Sequence, residues 1–394
     1  MKIAVQKYGG SSVATYEARE IVAEKIISKL RQGYAVAVVL SAMGRNPAPL
    51  STDAIINSVA FKCDISLSEK DLIMSTGENY SCIKMACLLR EKGFAVQVFS
   101  GSQAGVITDE NSGSAKIIKI YPAEIIKALS DGKIVLISGF QGSDETGNLT
   151  TLGRGGSDTS AVAVACALKA ECAEIYTDVD GVMTSDPRIY SDAKIMEVLD
   201  ISEMGEMANE GAKVLHTRCA EIAEKHDICI YVKNTFSDNP GTKITRKSGS
   251  KKIISGLIHK IGITDFYVDF SESENMTGEQ SLLFKNMAQL GVSLDLINIH
   301  RDKVYFSVSD EDFNKTSDYL IRAGLHYTFK TKKAKISCVG LGMKGTAGVM
   351  LAVYRILHEE KISVYRSVDS FINISCLIDQ IDLERAIRAL HELC

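Results

Sequence analysis

The chain has 394 residues, which exceeds what one hydrophobic core usually supports and predicts two or three domains. Its composition of 45% hydrophobic and 24% charged residues excludes a disordered chain. The formal net charge of -4 gives no strong field for nucleic acid or an anionic membrane, and no apolar run approaches the ~18 residues of a membrane span. We therefore expect a cytoplasmic protein with neither nucleic-acid nor membrane partners.

The ten cysteines and seven histidines follow no metal-binding or disulfide pattern. No two cysteines form a C-x-x-C pair, and most lie in apolar runs such as those around Cys166 and Cys229, which indicates buried thiols in a reducing compartment. The histidines lack the spacing of metal ligands. We therefore expect no protein-bound metal ion.

Residues 1–240 alternate short apolar runs with helical patterns. Helices are predicted at 17–30 and 212–225 from the spacing of their apolar side chains. Strands are predicted at 2–6, 35–40, 94–99, 133–138, 173–177 and 228–233. Several strands lead into glycine-containing loops, a rhythm typical of an open, mostly parallel α/β sheet with helices on both faces. Ligands of such sheets bind at the carboxyl ends of the strands.

A glycine-rich loop at residues 151–156, TLGRGG, precedes a run of small residues that predicts a helix. Its glycines let a ligand approach the backbone closely, and Arg154 offers a planar fork for a carboxylate. Ser157 and Asp158 are predicted to form the N-cap of the following helix. Taken alone, such a loop is more typical of a tight connection than of a binding site.

Charged residues in other predicted loops indicate that this loop belongs to a binding site. Lys7 stands beside a glycine pair and suits phosphates, Lys213 is predicted to open a helix as a second cation, and Glu78 suits an ammonium. Singly, each is also typical of a solvated surface residue, and Asp178 and Asp180 are typical turn formers. Together they favour phosphoryl transfer from ATP to an amino acid. Because the G-x-x-x-x-G-K-[ST] pattern is absent, a P-loop is not expected.

The last third of the chain contains an internal repeat. A shift of 70 residues aligns Gly278 with Gly348 and the alternating strand 304–308 with 374–378. In each copy the glycine is predicted to precede an amphipathic helix. Two small α+β units without catalytic-looking residues favour sensing or dimerisation.

A basic segment rich in Ser and Gly separates the two regions and predicts a solvated linker at 241–252. Its basic residues are Lys243, Arg246, Lys247, Lys251 and Lys252.

Residues 7–13, KYGGSSV, resemble the K-F-G-G-T-S-V signature of aspartate kinases in the amino acid kinase family. Further motifs of that family follow in its order: 41–44 (SAMG), 75–78 (STGE), 139–140 (GF), 153–158 (GRGGSD), 176–182 (YTDVDGV) and 186–188 (DPR). The repeat resembles the tandem ACT domains of monofunctional aspartate kinases, so the resemblance covers the whole chain. It implies a kinase domain at 1–240, a first ACT-like (ferredoxin-like) domain at 265–332, and a second formed by 253–264 plus 333–394.

The resemblance also implies the residues of the ATP and L-aspartate sites. It assigns ATP to Lys7, Gly9, Gly10, Ser11, Thr177, Asp178, Met183, Arg188, Lys213 and Val214. It assigns L-aspartate to Ser41, Thr52, Glu78, Phe140, Arg154, Gly155, Ser157 and Asp158. Glu78 would bind the ammonium and Arg154 a carboxylate. The catalytic set would be Lys7, Arg154, Asp158 and Lys213, with Mg2+ carried by the ATP phosphates.

Elementary chemistry is compatible with this reaction. The aspartate side chain has a pKa of about 3.9, so it is already an ionised nucleophile at neutral pH. Asp158 is therefore interpreted as an orienting, helix-capping group rather than a base. Lys7, Lys213 and Mg2+ would offset the repulsion between the nucleophile and the γ-phosphate. Tyr8, Ser11 and Thr217 depart mildly from the family pattern, the last from a usual proline.

The resemblance further implies feedback regulation of the first step toward lysine or diaminopimelate, threonine and methionine. The effector would be lysine, diaminopimelate or threonine, and homodimers or dimers of dimers would form through the ACT domains. The effector site would comprise Asn275, Met276, Gly278, Gln280, Ser293 and Asp295. Asp295 suits an effector ammonium, although it is equally typical of a turn at a strand end. Strand 253–263 would pack with residues from about 333 onward.

Three rival interpretations are weighed against this one. A kinase of glutamate or acetylglutamate is disfavoured by the repeat and by Glu78, because an N-acetylated substrate has no ammonium. A non-catalytic amino-acid sensor with a kinase-like domain would be expected to lack phosphate contacts, yet Lys7, Arg154 and Lys213 are present. A fusion to a second enzyme is not expected, because the repeat ends the sequence.

Overall fold

The computed structural model describes residues 1–44, 48–59, 64–246 and 252–394. The chain forms two compact units. The first unit comprises Met1–Val182, Ile195–Asn209 and Lys213–Ser250, and the second comprises Met183–Lys194, Glu210–Ala212 and Lys251–Cys394. In the described ranges, no helix combines the length and the apolar character needed to cross a bilayer.

The strands of the first unit confirm most of the predicted apolar runs. They are β1 Ile3–Tyr8, β2 Ala35–Leu40, β3 Val96–Phe99, β4 Val106–Thr108, β5 Ile117–Ile120, β6 Ile134–Ser138, β7 Gln141–Ser143, β8 Leu149–Thr151, β9 Cys172–Thr177, β10 Val198–Asp200, β11 Ile230–Asn234 and β12 Thr242–Thr245. Eight of them form one sheet in the order β10-β12-β11-β9-β1-β2-β6-β3. The neighbours from β11 to β3 are all parallel. The open, mostly parallel sheet is thus confirmed.

Helices pack on this sheet because the central strands are apolar on both faces. The helices of the first unit are α1 Gly10–Val13, α2 Tyr16–Arg31, α3 Thr52–Ser58, α4 Leu67–Met74, α5 Thr76–Glu91, α6 Ala123–Ser130, α7 Gly156–Ala167, α8 Ile201–Asn209 and α9 Thr217–His226. In α2, the Thr15 Oγ1 accepts a hydrogen bond from the Ala18 N–H at 3.2 Å and fixes the helix start. Its buried face, which includes Val22 and Ile26, covers the sheet.

A second, smaller sheet of the order β5-β4-β7-β8 was not predicted from the sequence. Its strands have only three or four residues, too few to show an alternating pattern. This sheet matters because β8 leads directly into the glycine-rich loop.

The predicted linker begins too early. Strand β12 pairs antiparallel with β11 and parallel with β10, so residues 242–245 belong to the large sheet. The Thr242 Oγ1 also accepts a hydrogen bond from the Val182 N–H at 2.8 Å. Lys247 and Lys251, part of the predicted basic segment, lie outside the described residues.

The second unit contains one sheet in the order β14-β15-β13-β16-β18-β17. Its strands are β13 Gly256–Asp269, β14 Asp295–Ile299, β15 Lys303–Ser309, β16 His326–Val339, β17 Arg366–Asp369 and β18 Asn373–Asp379. Its helices are α10 Met276–Gln289, α11 Phe313–Arg322, α12 Val349–Glu359 and α13 Leu383–Leu390. Gly278 lies inside α10, so the prediction that it precedes a helix is wrong, whereas Gly348 is the N-cap of α12.

Strand pairing in this sheet confirms the 70-residue repeat. Ile263 pairs with Ser309 in the β13–β15 ladder, and Lys333 pairs with Asp379 in the β16–β18 ladder. Each residue of the second pair lies 70 positions after the corresponding residue of the first pair. The first part of β13 pairs instead with the end of β16, from Gly256 opposite Val339 onward. The implied packing of this strand with residues beyond 333 is therefore confirmed.

Candidate active site

Four adjacent strands, β9, β1, β2 and β6, end at the same edge of the large sheet. The loops after β1 and β2 touch, since the Gly44 N–H donates to the Gly10 carbonyl at 2.9 Å. A Cβ atom at Gly10 would lie 2.7 Å from the Ala42 carbonyl oxygen, so only glycine fits there. The edge formed by the carboxyl ends of the strands is where ligands of parallel sheets bind.

Lys7 does not lie in a turn as predicted but inside β1, with 8% of its surface exposed. Its Nζ lies 2.6 Å from the Asp158 Oδ1, and a Cβ atom at Gly9 would lie 3.4 Å from that Nζ. The ammonium is thus held by a carboxylate beside the glycine pair. A positive charge fixed at this place can interact with a phosphate without much reorganisation.

Asp158 is not the predicted N-cap. Helix α7 begins at Gly156, its N-cap is Gly155 with φ +68°, and Ser157 and Asp158 are its second and third residues. A Cβ atom at Gly155 would lie 2.5 Å from the His216 ring, so the left-handed backbone and the ring both require glycine. The side chain of Asp158 is therefore available to pair with Lys7 instead of capping the helix.

Phe140 follows β6 with φ +67°, a strained conformation for a residue with a side chain. Its N–H donates to the Ser160 Oγ at 3.1 Å, and its carbonyl accepts from the Leu152 N–H at 2.9 Å. A Cβ atom at Gly156 would lie 2.7 Å from the Phe140 ring. These contacts place Phe140 against the start of α7, where Gly155 and Ser157 flank Gly156 in the sequence.

Glu78 is the third residue of α5 and is only 2% exposed. Its Oε1 accepts a hydrogen bond from the Ala42 N–H at 3.2 Å. Its Oε2 is buried without a hydrogen-bond partner among the described residues. Burial raises the pKa of this carboxyl to about 8, and the bond from Ala42 opposes that shift only in part. An ammonium placed against Oε2 would supply the missing partner and favour ionisation.

Arg154 is exposed, and no hydrogen bond or ion pair involves it in the part of the chain that the structure describes. Ser41 directly follows β2, where its N–H donates to the Tyr8 carbonyl at 3.1 Å. Thr52 is the first residue of α3, whose Ile55 would lie 3.1 Å from a Cβ atom at Gly77 beside Glu78. The loops and helices that carry the predicted acceptor residues thus adjoin this sheet edge. The binding role of each residue stays a prediction.

The predicted nucleotide residues are only partly brought together. Thr177 ends β9, and its Oγ1 lies 3.1 Å from the Asp178 Oδ1. Ser11 lies in α1, whose next residue, Ser12, shares a hydrogen bond of 2.7 Å with the Thr235 Oγ1. Asp180 connects its loop to the end of β11 and the loop after it, because its Oδ1 accepts from the Asn234 Nδ2 and the Ser237 Oγ at 2.8 Å each.

Lys213 and Val214 lie before a helix rather than at its start. The predicted helix at 212–225 begins at Thr217, because the His216 Nδ1 accepts from the Arg218 N–H at 3.3 Å and caps it there. Thr217 is the first helical residue, a position where proline is also well tolerated. Lys213 is exposed, so its role as a second cation stays a prediction.

Met183 and Arg188 belong to the second unit. Arg188 donates from Nε and Nη2 to the two oxygens of Asp186 at 3.0 and 2.6 Å. These hydrogen bonds lower the pKa of the Asp186 carboxyl. The nucleotide-binding role of both residues stays a prediction.

Sequence reasoning missed three residues that organise the site: His216, which packs on Gly155; Arg218, which donates to the Leu152 carbonyl at 2.8 Å; and Asp71, which binds Thr151. Their signals were weak because each is far in sequence from the loop it contacts. In the described ranges, no three His, Cys, Asp or Glu side chains are grouped so as to hold a metal ion.

The predicted effector residues cluster in part in the second unit. Asn275 is the N-cap of α10 and accepts from the Gly278 N–H at 3.2 Å, while the buried Gln280 donates to the His300 carbonyl at 3.1 Å. Met276 opens the same helix, and Ser293 lies exposed just before β14.

Asp295, the first residue of β14, accepts from the Lys335 Nζ at 2.5 Å. Partial burial alone would raise the pKa of Asp295, but the Lys335 ammonium lowers it below its usual value. Lys335 is 3% exposed and also lies 2.8 Å from the Glu210 Oε2. The Lys335 ammonium therefore already binds the Asp295 carboxylate, which was predicted to bind the effector ammonium.

Two protein families match separate parts of the chain. Residues 2–234 match the amino acid kinase family, and residues 336–393 match the ACT domain. Aspartokinase 1 of Bacillus subtilis (strain 168) is 36% identical over 401 residues, which cover 100% of this chain and 99% of that protein.

Two solved structures of E. coli aspartokinase III resemble this chain along its whole length. The complex with aspartate and ADP, an R-state, has a TM-score of 0.81 and 25% identity, and the match covers 100% of this chain and 99% of that one. The complex with lysine and aspartate, a T-state, has the same TM-score and identity and covers 99% of each chain.

Proposed function

Because the chain belongs to the aspartokinases of the amino acid kinase family, we propose that it transfers the γ-phosphoryl group of ATP to the side-chain carboxylate of L-aspartate. The products would be 4-phospho-L-aspartate and ADP. The E. coli relative that binds aspartate and ADP supports this choice of substrates. We further propose that the reaction opens the pathway toward lysine or diaminopimelate, threonine and methionine, and that the enzyme works in the cytoplasm.

The acceptor side of the proposal rests mainly on Glu78. Its buried Oε2 lacks a partner among the described residues, and an unpaired buried oxygen is costly unless a ligand satisfies it. The substrate ammonium would fill this role, and exposed Arg154 would bind a carboxylate through its planar fork. Ser41, Thr52, Phe140, Gly155 and Ser157 would complete the acceptor site.

On the nucleotide side, the Lys7 ammonium would bind the phosphates beside Gly9, Gly10 and Ser11. Asp158 holds that ammonium at 2.6 Å, so it would orient Lys7 and need not remove a proton from a substrate that is already ionised. Lys213 would add a second positive charge. Further nucleotide contacts would come from Thr177, Asp178, Met183, Arg188 and Val214. Mg2+ would arrive on the ATP phosphates and offset part of their charge.

We propose that the second unit is a pair of ACT-like domains, at 265–332 and at 253–264 plus 333–394, that binds an effector amino acid and mediates dimers or dimers of dimers. The E. coli relative in complex with lysine supports an amino-acid effector. In this chain the effector site would comprise Asn275, Met276, Gly278, Gln280, Ser293 and Asp295. Binding regulates the enzyme if the effector favours one domain arrangement over another.

One assay tests the main proposal against its rivals. ADP release is measured with L-aspartate, L-glutamate and N-acetyl-L-glutamate as acceptors, each with and without lysine, diaminopimelate and threonine. We expect release with L-aspartate and inhibition by at least one effector. Release with another acceptor only would favour a different amino acid kinase, and absence of release with all three would favour the non-catalytic sensor.

A further inference from the structure

Asp71, on α4, is a fully buried carboxylate that binds the start of the glycine-rich loop. Its Oδ1 accepts from the Thr151 Oγ1 at 2.5 Å, and its Oδ2 accepts from the Thr151 N–H at 3.1 Å and the Gly113 N–H at 3.0 Å. Charge-assisted hydrogen bonds of this kind are strong and directional. Asp71 therefore fastens two separate backbone segments to α4.

The same two segments are joined to each other and to α9. The Ala115 N–H donates to the Thr151 carbonyl at 2.9 Å, and the Arg218 Nη1 donates to the Leu152 carbonyl at 2.8 Å and to the Ala115 carbonyl at 3.4 Å. Arg154 lies two residues beyond Leu152. The base of the loop is thus fixed on several sides, while its arginine remains exposed.

Helix α4 is also connected to the helix that carries Glu78. The Ser75 N–H donates to the Asp71 carbonyl at 3.0 Å, and α5 begins at the next residue. The Ser75 carbonyl accepts from the Gln141 Nε2 at 3.0 Å, which ties this junction to β7. Asp71 thus fastens the loop of Arg154 to the element that leads into Glu78.

We infer that Asp71 is a positioning residue that holds Glu78 and Arg154 at a fixed separation and thereby orients the acceptor amino acid for phosphoryl transfer. This inference rests on the roles proposed above for Glu78 and Arg154. Two charged contacts held at a fixed distance fix the orientation of the acceptor. This matters because displacement of a binding group by about 1 Å can lower the rate on the order of 100-fold.

The test is Asp71→Asn in the full-length enzyme. Asparagine keeps the size, but its amide nitrogen cannot accept a hydrogen bond, so Gly113 or Thr151 loses its acceptor. We expect the KM for L-aspartate to rise about tenfold or more, with the KM for ATP nearly unchanged. The kcat/KM for L-aspartate should fall by at least a similar factor.

Asp144→Asn is the matched control. The Asp144 Oδ1 likewise accepts from two backbone N–H groups, those of Thr146 and Asn148, both at 2.9 Å. It lies in the exposed turn between β7 and β8 rather than against the glycine-rich loop. We expect both KM values to stay at the wild-type level in this variant.

A second variant, Thr151→Val, removes only the hydroxyl contact with Asp71 and serves if Asp71→Asn fails to fold, as judged by circular dichroism. A smaller rise in the KM for L-aspartate, with the KM for ATP unchanged, supports the inference. A wild-type KM for L-aspartate in the folded variants, or an equal rise in both KM values, overturns it. A wild-type enzyme that releases no ADP with L-aspartate contradicts the proposed function itself and the inference with it.

Discussion

The two units each contain a carboxylate that we propose to receive an amino-acid ammonium, and these two carboxylates differ in what already surrounds them. Glu78 in the first unit is 2% exposed and has one oxygen without a partner among the described residues. Asp295 in the second unit has a side chain that is 41% exposed and pairs with Lys335. Burial raises the pKa of Glu78 to about 8, whereas Lys335 outweighs burial and lowers the pKa of Asp295.

This difference predicts two kinds of ligand binding. At Glu78 a ligand ammonium adds a missing partner, so binding is coupled to loss of a proton from the carboxyl group. At Asp295 a ligand ammonium must share or replace the Lys335 contact. Because Lys335 also pairs with Glu210 at 2.8 Å, an effector there would disturb an existing ion-pair network.

The largest expected effect concerns Lys7, which, like Lys335, is a lysine held by a carboxylate. We expect Lys7→Ala to lower kcat by ~100-fold or more with the fold intact, the scale of losing one preorganised charge contact. Steady-state ADP release and circular dichroism measure the two properties. Wild-type turnover in this variant would refute the assignment of Lys7 to the phosphates.

Glu78→Gln should raise the KM for L-aspartate by about 10- to 100-fold, because a hydrogen bond to a charged group contributes about 1.5–3 kcal/mol. The KM for ATP should change little, which separates loss of acceptor binding from general damage. Asp144→Asn again provides a control carboxylate. An equal rise in the KM for L-aspartate in both variants would contradict a specific role of Glu78 in binding the acceptor.

The pH dependence of acceptor binding sharpens the comparison. Below pH 8 the free Glu78 carboxyl is mostly protonated, and an ammonium ligand favours its ionised form. The KM for L-aspartate should therefore fall as pH rises from 6 to 8, by at most about tenfold per unit, and level off above that. Glu78→Gln should abolish this slope. A KM that is independent of pH in the wild type would contradict the assignment of Glu78.

The smallest effect is expected at Asp295. Asp295→Asn should raise the effector concentration for half-inhibition about tenfold, since one charge-assisted hydrogen bond is lost. Titration of ADP release with whichever of lysine, diaminopimelate or threonine inhibits the wild type measures this shift. Unchanged inhibition would place the effector ammonium elsewhere.

The sequence was sufficient for features set by long apolar patterns. The central parallel strands and the register of the repeat follow from runs of buried β-branched residues and from the constant 70-residue shift. The first residues of α7 and α9 did not follow from such patterns. The N-caps of these helices, Gly155 and His216, are in contact with each other although they are far apart in the sequence. The sequence placed Lys7 and Asp158 in one site, but their direct pairing depends on the third helical position of Asp158.

Strands β13 and β16 have a consequence for how the second unit folds. Each strand runs for 14 residues and belongs to both copies of the repeat, since one part of β13 pairs with β15 and both parts pair with β16. A cut at the repeat boundary near residue 332 would sever β16 within its length. By sequence the unit is a duplication, but as a folding unit it is single, because neither copy can close its sheet without strands that the other copy shares.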